Sequence, residues 1–187
     1  MTDQYDISLN NTQHKLPVNE QRLREVARRT LAEEQVAEAR ISIAVVDDET
    51  MRRLNRQYLA HDYATDVLSF LLESEAPSGS DPGRSEPPRG NGKRLEGEVI
   101  LSVETAERAA VEFRWTSDDE IVLYLVHGLL HLMGYEDETT QERSLMRARE
   151  TAILSLWNLK PYYADADGAN GDAERSQPPD CVSGADS

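Results

Sequence analysis

The sequence HGLLHLMGYED occupies residues 127–137 and joins the end of a long apolar segment to two acidic residues. His127 and His131 are four positions apart, so their side chains share one face of a helix. Gly134 is a natural helix terminator, and Glu136 and Asp137 follow it. The stretch therefore predicts a buried helix that ends in a tight turn, with two histidines and a carboxylate close together.

This combination of side chains suits a divalent metal. Two imidazoles separated by one helical turn can bind the same ion, and the chain beyond the glycine can return a third donor. Burying two imidazoles without partners would cost on the order of several kcal/mol, which a bound metal offsets. Zinc peptidases of similar design place a glutamate base directly after the first histidine. Gly128 stands in that position here, which argues against a peptidase.

Hydrophobic periodicity predicts strands early in the chain and helices late in it. Strands are predicted at Tyr5–Asn10, in ARISIAVVDD (39–48), in TDVLSFLLE (65–73) and in EGEVILS (96–102). Helices are predicted at Asn19–Gln35, Glu49–Tyr58, Val103–Phe113, Ser117 through His131, and from Thr139 or Thr140 to Pro161. This order predicts the α+β class, with a small sheet covered by helices.

Local signals predict where these helices begin and which side chains they bury. Asp47 or Asp48 and Ser102 are expected helix caps, and Ser117 with Glu120 forms an expected capping box. The inward faces are expected to include Tyr58 in the second helix, and Ala152, Leu156 and Trp157 in the last.

Two segments differ from the rest in composition. Ser74–Lys93 is rich in Pro, Gly and Ser, which predicts a flexible insertion between two strands that is dispensable for folding. Residues 164–187 are acidic and interrupted by Gly and Pro, which predicts a disordered tail. The remaining chain, residues 1–163, is expected to form a single domain.

Composition limits the environment and the partners. No apolar run reaches the roughly 18 residues of a membrane span, the N-terminus lacks the features of a secretory signal, and Cys181 is the only cysteine. These features predict a cytoplasmic protein with no membrane association and no disulfide partner. The formal net charge of −15 argues against a general nucleic-acid binder, although arginines at 22–29 and 52–56 leave room for a local basic face.

Three motifs together resemble the YbeY family of bacterial rRNA maturation factors. HGLLHLMGYED is similar to the family pattern His-Gly-x-x-His-Leu-x-Gly-Tyr-Asp-His at His127, Gly128, His131, Leu132, Gly134 and Tyr135. TDVLSF at Thr65–Phe70 resembles a second signature. GEVILS at Gly97–Ser102 resembles a third, with Glu98 in place of the usual aspartate. The order of elements also fits from about Tyr5 to Tyr163.

The resemblance implies a zinc-dependent, single-strand-specific endoribonuclease of the metal-dependent hydrolase type. It implies a role in maturation of the 16S rRNA 3′ end and in ribosome biogenesis and quality control, with ribosomal RNA and the small subunit or its assembly factors as partners. It also implies a small mixed sheet covered by helices, with a metzincin-like helix carrying the histidines. One zinc per chain is expected at His127, His131 and Asp137, with Glu136 as a rival third ligand.

Two departures from the family pattern affect this expectation. Asp137 stands where the family has its third histidine, and a set of two histidines and a carboxylate also suits Fe²⁺ or another divalent metal. Leu59 stands where the family has an arginine, so the role of that arginine is either vacant here or taken over by Arg56 or His61.

The expected mechanism is attack on an RNA phosphodiester by a metal-activated water, with the ribose 2′-hydroxyl as the alternative nucleophile. The expected catalytic residues are His127, His131, Glu136 and Arg56, with Glu138 as an alternative general base. The expected RNA contacts are Arg52, Arg53, Arg56 and Tyr63, with Tyr135 as a further stacking candidate. Two alternatives remain: a weakly active or non-catalytic ribosome-assembly protein stabilised by metal, and a metallopeptidase.

Overall fold

The computed structural model describes residues 4–77 and 88–163, which form a four-stranded sheet and five α-helices. In chain order the elements are β1 (Tyr5–Asn11), α1 (Glu20–Glu33), β2 (Glu38–Val46), α2 (Asp48–Leu59), β3 (Val67–Glu75), β4 (Arg94–Ser102), α3 (Val103–Phe113), α4 (Ser117–Leu132) and α5 (Thr140–Leu154). A short 3₁₀ turn at Ser155–Trp157 follows α5. The predicted α+β class is confirmed.

The sheet is mixed and has the strand order β1-β2-β4-β3. The first three strands in this order are parallel, and β3 runs antiparallel to β4 at one edge. Ile43 lies opposite Val99, in the middle of the paired strands β2 and β4. Both side chains are fully buried. Because β3 is an edge strand of the sheet that the described residues form, it can border a cleft.

Helices cover both faces of the sheet. On one face α2 contributes Met51 to a small buried cluster that also contains Val46, Leu68 and Ile100. On the other face the main core surrounds α4, whose apolar side chains from Ile121 to Leu132 are almost entirely inaccessible except for the partly buried Leu123. None of the helices in residues 4–77 and 88–163 combines the length and apolarity that a bilayer span requires.

The helix caps show why several elements begin where they do. Asp47, not Asp48, caps α2 by accepting a hydrogen bond from the backbone N–H of Thr50, and Ser102 caps α3 as predicted. The predicted Ser117–Glu120 capping box is wrong. Thr116 caps α4 instead, and Glu120 is turned inward with only 4% of its surface exposed.

Three side chains predicted to face inward are exposed. Tyr58 is 57% exposed because it lies in the last turn of α2, where its ring rests against Phe70 instead of entering the core. Ala152 and Leu156 are also exposed. The buried stripe of the last helix runs through Met146, Glu150, Ile153 and Leu154. Because Glu150 is an acid within this stripe, the hydrophobic pattern of the sequence did not indicate which face of the helix is buried.

The predicted insertion is shorter than Ser74–Lys93. Ser74 and Glu75 belong to β3, where they pair with β4. The backbone N–H of Arg89 donates to Glu34 at 2.9 Å, and Nζ of Lys93 donates to the carbonyl of Met133 at 2.9 Å. Both ends of the segment therefore make ordered contacts with the rest of the fold, and its dispensability for folding stays a prediction. Its middle, residues 78–87, and the predicted tail, 164–187, lie outside the described residues.

Candidate metal centre

Helix α4 lies unusually close to the sheet at the residue that follows the first histidine. A Cβ atom added to Gly128 would lie 2.7 Å from Cγ1 of Val99 and 2.9 Å from Oγ of Ser69. These distances are shorter than any normal carbon contact, so only glycine fits. Gly128 thus faces the sheet, while His127, one position earlier, points into a cleft beside α5.

Two imidazoles and one carboxylate converge at the end of α4. Nε2 of His127 lies 2.9 Å from Nε2 of His131 and 3.8 Å from Oδ2 of Asp137. The three ligand atoms all lie within 4.8 Å of one another, and they form the arrangement in residues 4–77 and 88–163 that could hold a metal ion. Side chains from the two ends of the predicted motif are therefore brought together.

The other nitrogen of each imidazole is occupied. Nδ1 of His131 donates to the carbonyl oxygen of Tyr135 at 2.8 Å, and Nδ1 of His127 donates to Oε1 of Glu150 at 2.6 Å. A carbonyl only accepts, so Nδ1 of His131 must carry the proton. Ring orientation by a carbonyl or carboxylate at the far nitrogen is the usual support of a metal-binding histidine.

These tautomers turn the two Nε2 lone pairs towards each other. Two lone pairs 2.9 Å apart repel unless a cation lies between them. That cation is either a proton on one ring or a divalent metal shared by both. The nearby Asp137 oxygen completes three donors, which is the number that a catalytic zinc site takes from its protein. The donor set therefore fits a divalent metal.

The electrostatics of His127 depend mainly on Glu150. Burial lowers the pKa of His127, but the hydrogen bond to Glu150 and its negative charge outweigh burial and raise the pKa above its usual value. Oε2 of Glu150 accepts a further hydrogen bond of 2.5 Å from the hydroxyl of Tyr163. Burial and the Glu150 charge raise the pKa of Tyr163, so this hydroxyl keeps its proton and remains a donor. Each carboxylate oxygen of Glu150 therefore accepts a hydrogen bond, one from His127 and one from Tyr163.

The turn after α4 separates the two acids that compete for the third position. Gly134 adopts a φ of +95°, a conformation that other residues rarely take, and the chain then reverses. Oε2 of Glu136 lies 4.0 Å from Nδ1 of His131, the nitrogen already bonded to Tyr135. Asp137 instead reaches the Nε2 side of His127. The geometry thus favours Asp137 over Glu136 beside the two free nitrogens.

A buried ionic network holds this turn in place. Glu34, at the end of α1, is completely buried, and its Oε2 accepts a hydrogen bond of 2.9 Å from the hydroxyl of Tyr135. Its other oxygen pairs with Arg149. Arg89 adds a guanidinium group that donates to the carbonyl of Gly134 and lies 4.9 Å from the ring centre of Tyr135. The carboxylate of Glu34 therefore ties together α1, α5 and the turn that supports His131.

Clefts on two sides meet at His127. One lies along β3, between Thr65–Leu71 and the side chains of His131 and Glu136. The other lies between α3, α4 and α5, and Asp137 and Arg147 line it together with His127. Asp66 borders both clefts, and its carboxylate is fixed by the backbone N–H of Val67 at 2.8 Å. The two clefts therefore share His127 and Asp66 as common lining residues.

The predicted arginine cluster lies elsewhere. Arg52 and Arg56 both bind Asp62, at 2.8 Å and 2.9 Å from their Nε atoms. These hydrogen bonds hold the pKa of Asp62 at about 2. The ring of Tyr63 stacks on His61 with centroids 5.4 Å apart. None of these side chains, nor Arg53, lines the clefts at His127, so the structure does not bring Arg56 to the predicted catalytic position.

Three supporting residues escaped the sequence analysis although a signal for two of them was present. Glu150 lies four positions after Met146 and three before Ile153, so it interrupts an apolar stripe. Glu34 similarly follows Leu31 by three positions. An acid on a buried stripe indicates a paired or ligand-supporting carboxylate. Arg149, the partner of Glu34, gave no such signal.

The fold and the centre together define a small α+β domain with a helix-borne site of two histidines and a carboxylate. The sequence profile of the family described as Endoribonuclease YbeY matches residues 8–158. The chain therefore belongs to the YbeY endoribonuclease family, as the three motifs predicted.

Individual relatives extend over most of the chain. A Moorella thermoacetica protein named endoribonuclease YbeY is 40% identical over 159 residues, which are 83% of this chain and 99% of the relative. The protein of the same name from Salinibacter ruber is 39% identical over 134 residues, or 71% of this chain and 80% of the relative. A solution structure of a Thermotoga maritima protein has a TM-score of 0.49 and 23% identity, over 81% of this chain and 91% of that one.

Proposed function

We propose that this protein is a metal-dependent, single-strand-specific endoribonuclease. The observation that carries the proposal is the convergence of the His127 and His131 Nε2 atoms with Asp137, while each Nδ1 is fixed by another group. Family membership supplies the reaction class, because the relatives are named endoribonucleases. The site supplies a place where such a reaction can occur.

Zinc is the proposed metal, one per chain, with Asp137 as the third ligand. Two imidazoles and a carboxylate are ordinary zinc ligands, and the same set also suits Fe²⁺. A divalent metal bound here would activate a water molecule and polarise a phosphoryl oxygen of the RNA. The ribose 2′-hydroxyl is the alternative nucleophile.

The protein groups around the centre have distinct proposed tasks. Glu150 and the Tyr135 carbonyl hold the two imidazoles with Nε2 directed at the metal position. Glu136 lines the β3 cleft together with both histidines, so it remains the proposed general base. Arg143 and Arg147 line the other cleft and are better placed than Arg56 to offset the charge of a phosphate beside His127.

The cellular role is proposed from the family. Maturation of the 16S rRNA 3′ end and quality control of ribosomes would place the protein in the cytoplasm, with rRNA and the small subunit or its assembly factors as partners. An acidic chain needs a local basic surface to bind RNA, and Arg52, Arg53 and Arg56 on α2 remain proposed for this task.

A second function is a ribosome-assembly protein that binds metal but cleaves weakly or not at all. Two sequence features favour it, namely the carboxylate at Asp137 and the absence of an arginine at Leu59. A peptidase is disfavoured by the structure, because Gly128 faces the sheet at a distance that leaves no room for a glutamate base.

Cleavage of single-stranded rRNA fragments separates these functions. The zinc-loaded protein should cut them, chelator should abolish the activity, and a duplex of the same sequence should resist. His127→Ala is the inactive control. Metal binding without cleavage under any divalent metal would favour the assembly function. Cleavage of a peptide library, with no effect on RNA, would point to the peptidase.

A further inference from the structure

The cleft between α3, α4 and α5 has a volume of about 300 Å³ and shares His127 and Asp137 with the metal centre. This volume is at the lower end of the range for ligand pockets, which is roughly 300–1,000 Å³. It suits a small planar group better than a folded chain. Because the two sites share a wall, the occupant of the cleft must be close to the reacting bond.

One part of the wall is aromatic and apolar. Phe113 and Tyr162 lie with ring centroids 5.6 Å apart and a tilt of 39°. Tyr162 is 48% exposed, so its ring is accessible, and Leu123 and Met146 extend the apolar surface. The exposed ring of Tyr162 and the partly exposed ring of Phe113 are suited to stacking against a base, which every nucleotide can provide.

The other part of the wall carries acids. Asp66 and Glu120 line the cleft in addition to the two carboxylates already engaged at the centre, Asp137 and Glu150. Asp66 and Glu120 balance the two guanidinium groups of Arg143 and Arg147, so the inside of the cleft has no excess positive charge to hold a phosphate, which is instead expected beside His127. Carboxylates are good acceptors for the N–H groups on the edge of a base. Burial raises the pKa of Glu120, and a side-chain hydrogen bond with Tyr124 partly opposes this increase.

We propose that this cleft is a base pocket, which receives the nucleobase adjoining the scissile phosphate, stacks it on Phe113 and Tyr162, and hydrogen-bonds its edge through Glu120 or Asp66. The proposal rests on the proposed endoribonuclease function and adds to it a preference at one nucleotide. Arg147, which lines the same cleft, would then lie near the attached phosphate, outside the aromatic wall.

The test uses the full-length, zinc-loaded chain and a single-stranded oligoribonucleotide with one cleavage site. An abasic residue is placed in turn at each of the two nucleotides flanking that site. At one of them, kcat/KM should fall roughly 5- to 150-fold, as expected for the loss of one stacked base. In the Phe113→Ala/Tyr162→Ala variant, intact and abasic RNA should be cut at the same reduced rate.

Matched variants separate the pocket from general effects. Val111→Ala removes an exposed apolar side chain from the same helix, outside the cleft, and should leave the abasic penalty intact. Glu120→Gln should change the ranking of the four bases at the sensitive position. Metal content should be equal in all variants, because neither Phe113 nor Tyr162 is one of the three metal ligands.

The two proposals fail in different ways. Cleavage that is indifferent to the abasic residue at both positions overturns the base pocket and leaves the endoribonuclease intact. Absence of any metal-dependent cleavage overturns the endoribonuclease. In that case fluorescence anisotropy with the same oligonucleotides still decides the pocket: weaker binding of abasic RNA, abolished by the double variant, supports it, and equal binding overturns it.

Discussion

Glu150 Oε1 lies 2.6 Å from Nδ1 of His127, on a carboxylate of which only 3% is exposed. This contact fixes the tautomer of the histidine and directs its Nε2 towards His131. It also brings α5 into the metal centre, although this helix contributes none of the three ligand atoms. The burial of Glu150 is therefore best explained by its role in orienting His127.

Replacing Glu150 with glutamine should weaken metal binding about 10- to 100-fold, the usual cost of losing such a support. The amide retains the size of the side chain, so the fold should remain. Competition with a chromogenic chelator measures the affinity, and circular dichroism checks the fold. Glu138→Gln, a change at an exposed acid near the centre, is the matched control and should keep wild-type affinity.

The third ligand can be identified by comparing the two adjacent acids. Asp137→Ala should reduce metal affinity about as much as His131→Ala, because each removes one of three donors. Glu136→Ala should leave affinity nearly unchanged, since its carboxylate lies on the Nδ1 side of His131. Asp137→His should retain or raise zinc affinity. Stoichiometric metal in Asp137→Ala together with loss in Glu136→Ala would show that the assignment is off by one residue.

Glu34 is expected to be essential for stability and for the shape of the centre. Removing one partner from a buried ion pair costs about 3–5 kcal/mol, because the other charge remains buried. Glu34→Ala leaves Arg149, whose side chain is 20% exposed, without its carboxylate partner, so we expect the lower end of this range; it also removes the acceptor of the Tyr135 hydroxyl. A lower free energy of unfolding in urea should therefore accompany weaker metal binding.

The neighbouring acid provides the control for this prediction. Glu33 pairs with Arg29 on the surface of α1, and both side chains are partly exposed. Glu33→Ala should change the free energy of unfolding by only about 0.5 kcal/mol. If Glu34→Ala were equally mild, the network around Tyr135 would have no structural importance.

The sequence predicted most helices and strands and the two histidines of the metal centre, because these depend on local patterns. The spacing of His127 and His131 places them on one face of a helix, and Gly134 marks its end. The α+β class follows from periodicity alone. Exposure of Tyr58 was not predictable in this way, since its ring rests at the surface against Phe70 of β3. The position of β3 relative to α2 is not contained in the local sequence of the helix.

Long-range partners account for the other differences. Glu150 is 23 residues from His127, and Arg149 is 115 residues from Glu34. No single-sequence pattern connects such positions. The same limitation applies to Arg56, whose charge is directed to Asp62 by the turn after α2. Pairing across the fold, rather than helix propensity, decides which charged side chains reach the metal centre.

The last prediction concerns the basic surface on α2. Arg52, Arg53 and Arg56 are exposed, but Asp62 offsets part of their charge because two of them bind it. Changing all three arginines to serine should weaken binding to single-stranded rRNA fragments. The logarithmic salt slope should also become shallower, by about 0.7 for each RNA phosphate that the variant no longer neutralises. Asp62→Asn should do the reverse and strengthen binding, because it releases both guanidinium groups.

A triple change of Arg28, Arg40 and Arg94 to serine is the matched control. These residues line a cavity at the other end of the sheet, where β2 and β4 begin, and the change removes the same formal charge. Fluorescence anisotropy across a salt series compares the variants. Equal weakening in both triple variants would mean that RNA binding depends only on the net charge of the protein. Greater weakening in the control would place the RNA path at that end of the sheet.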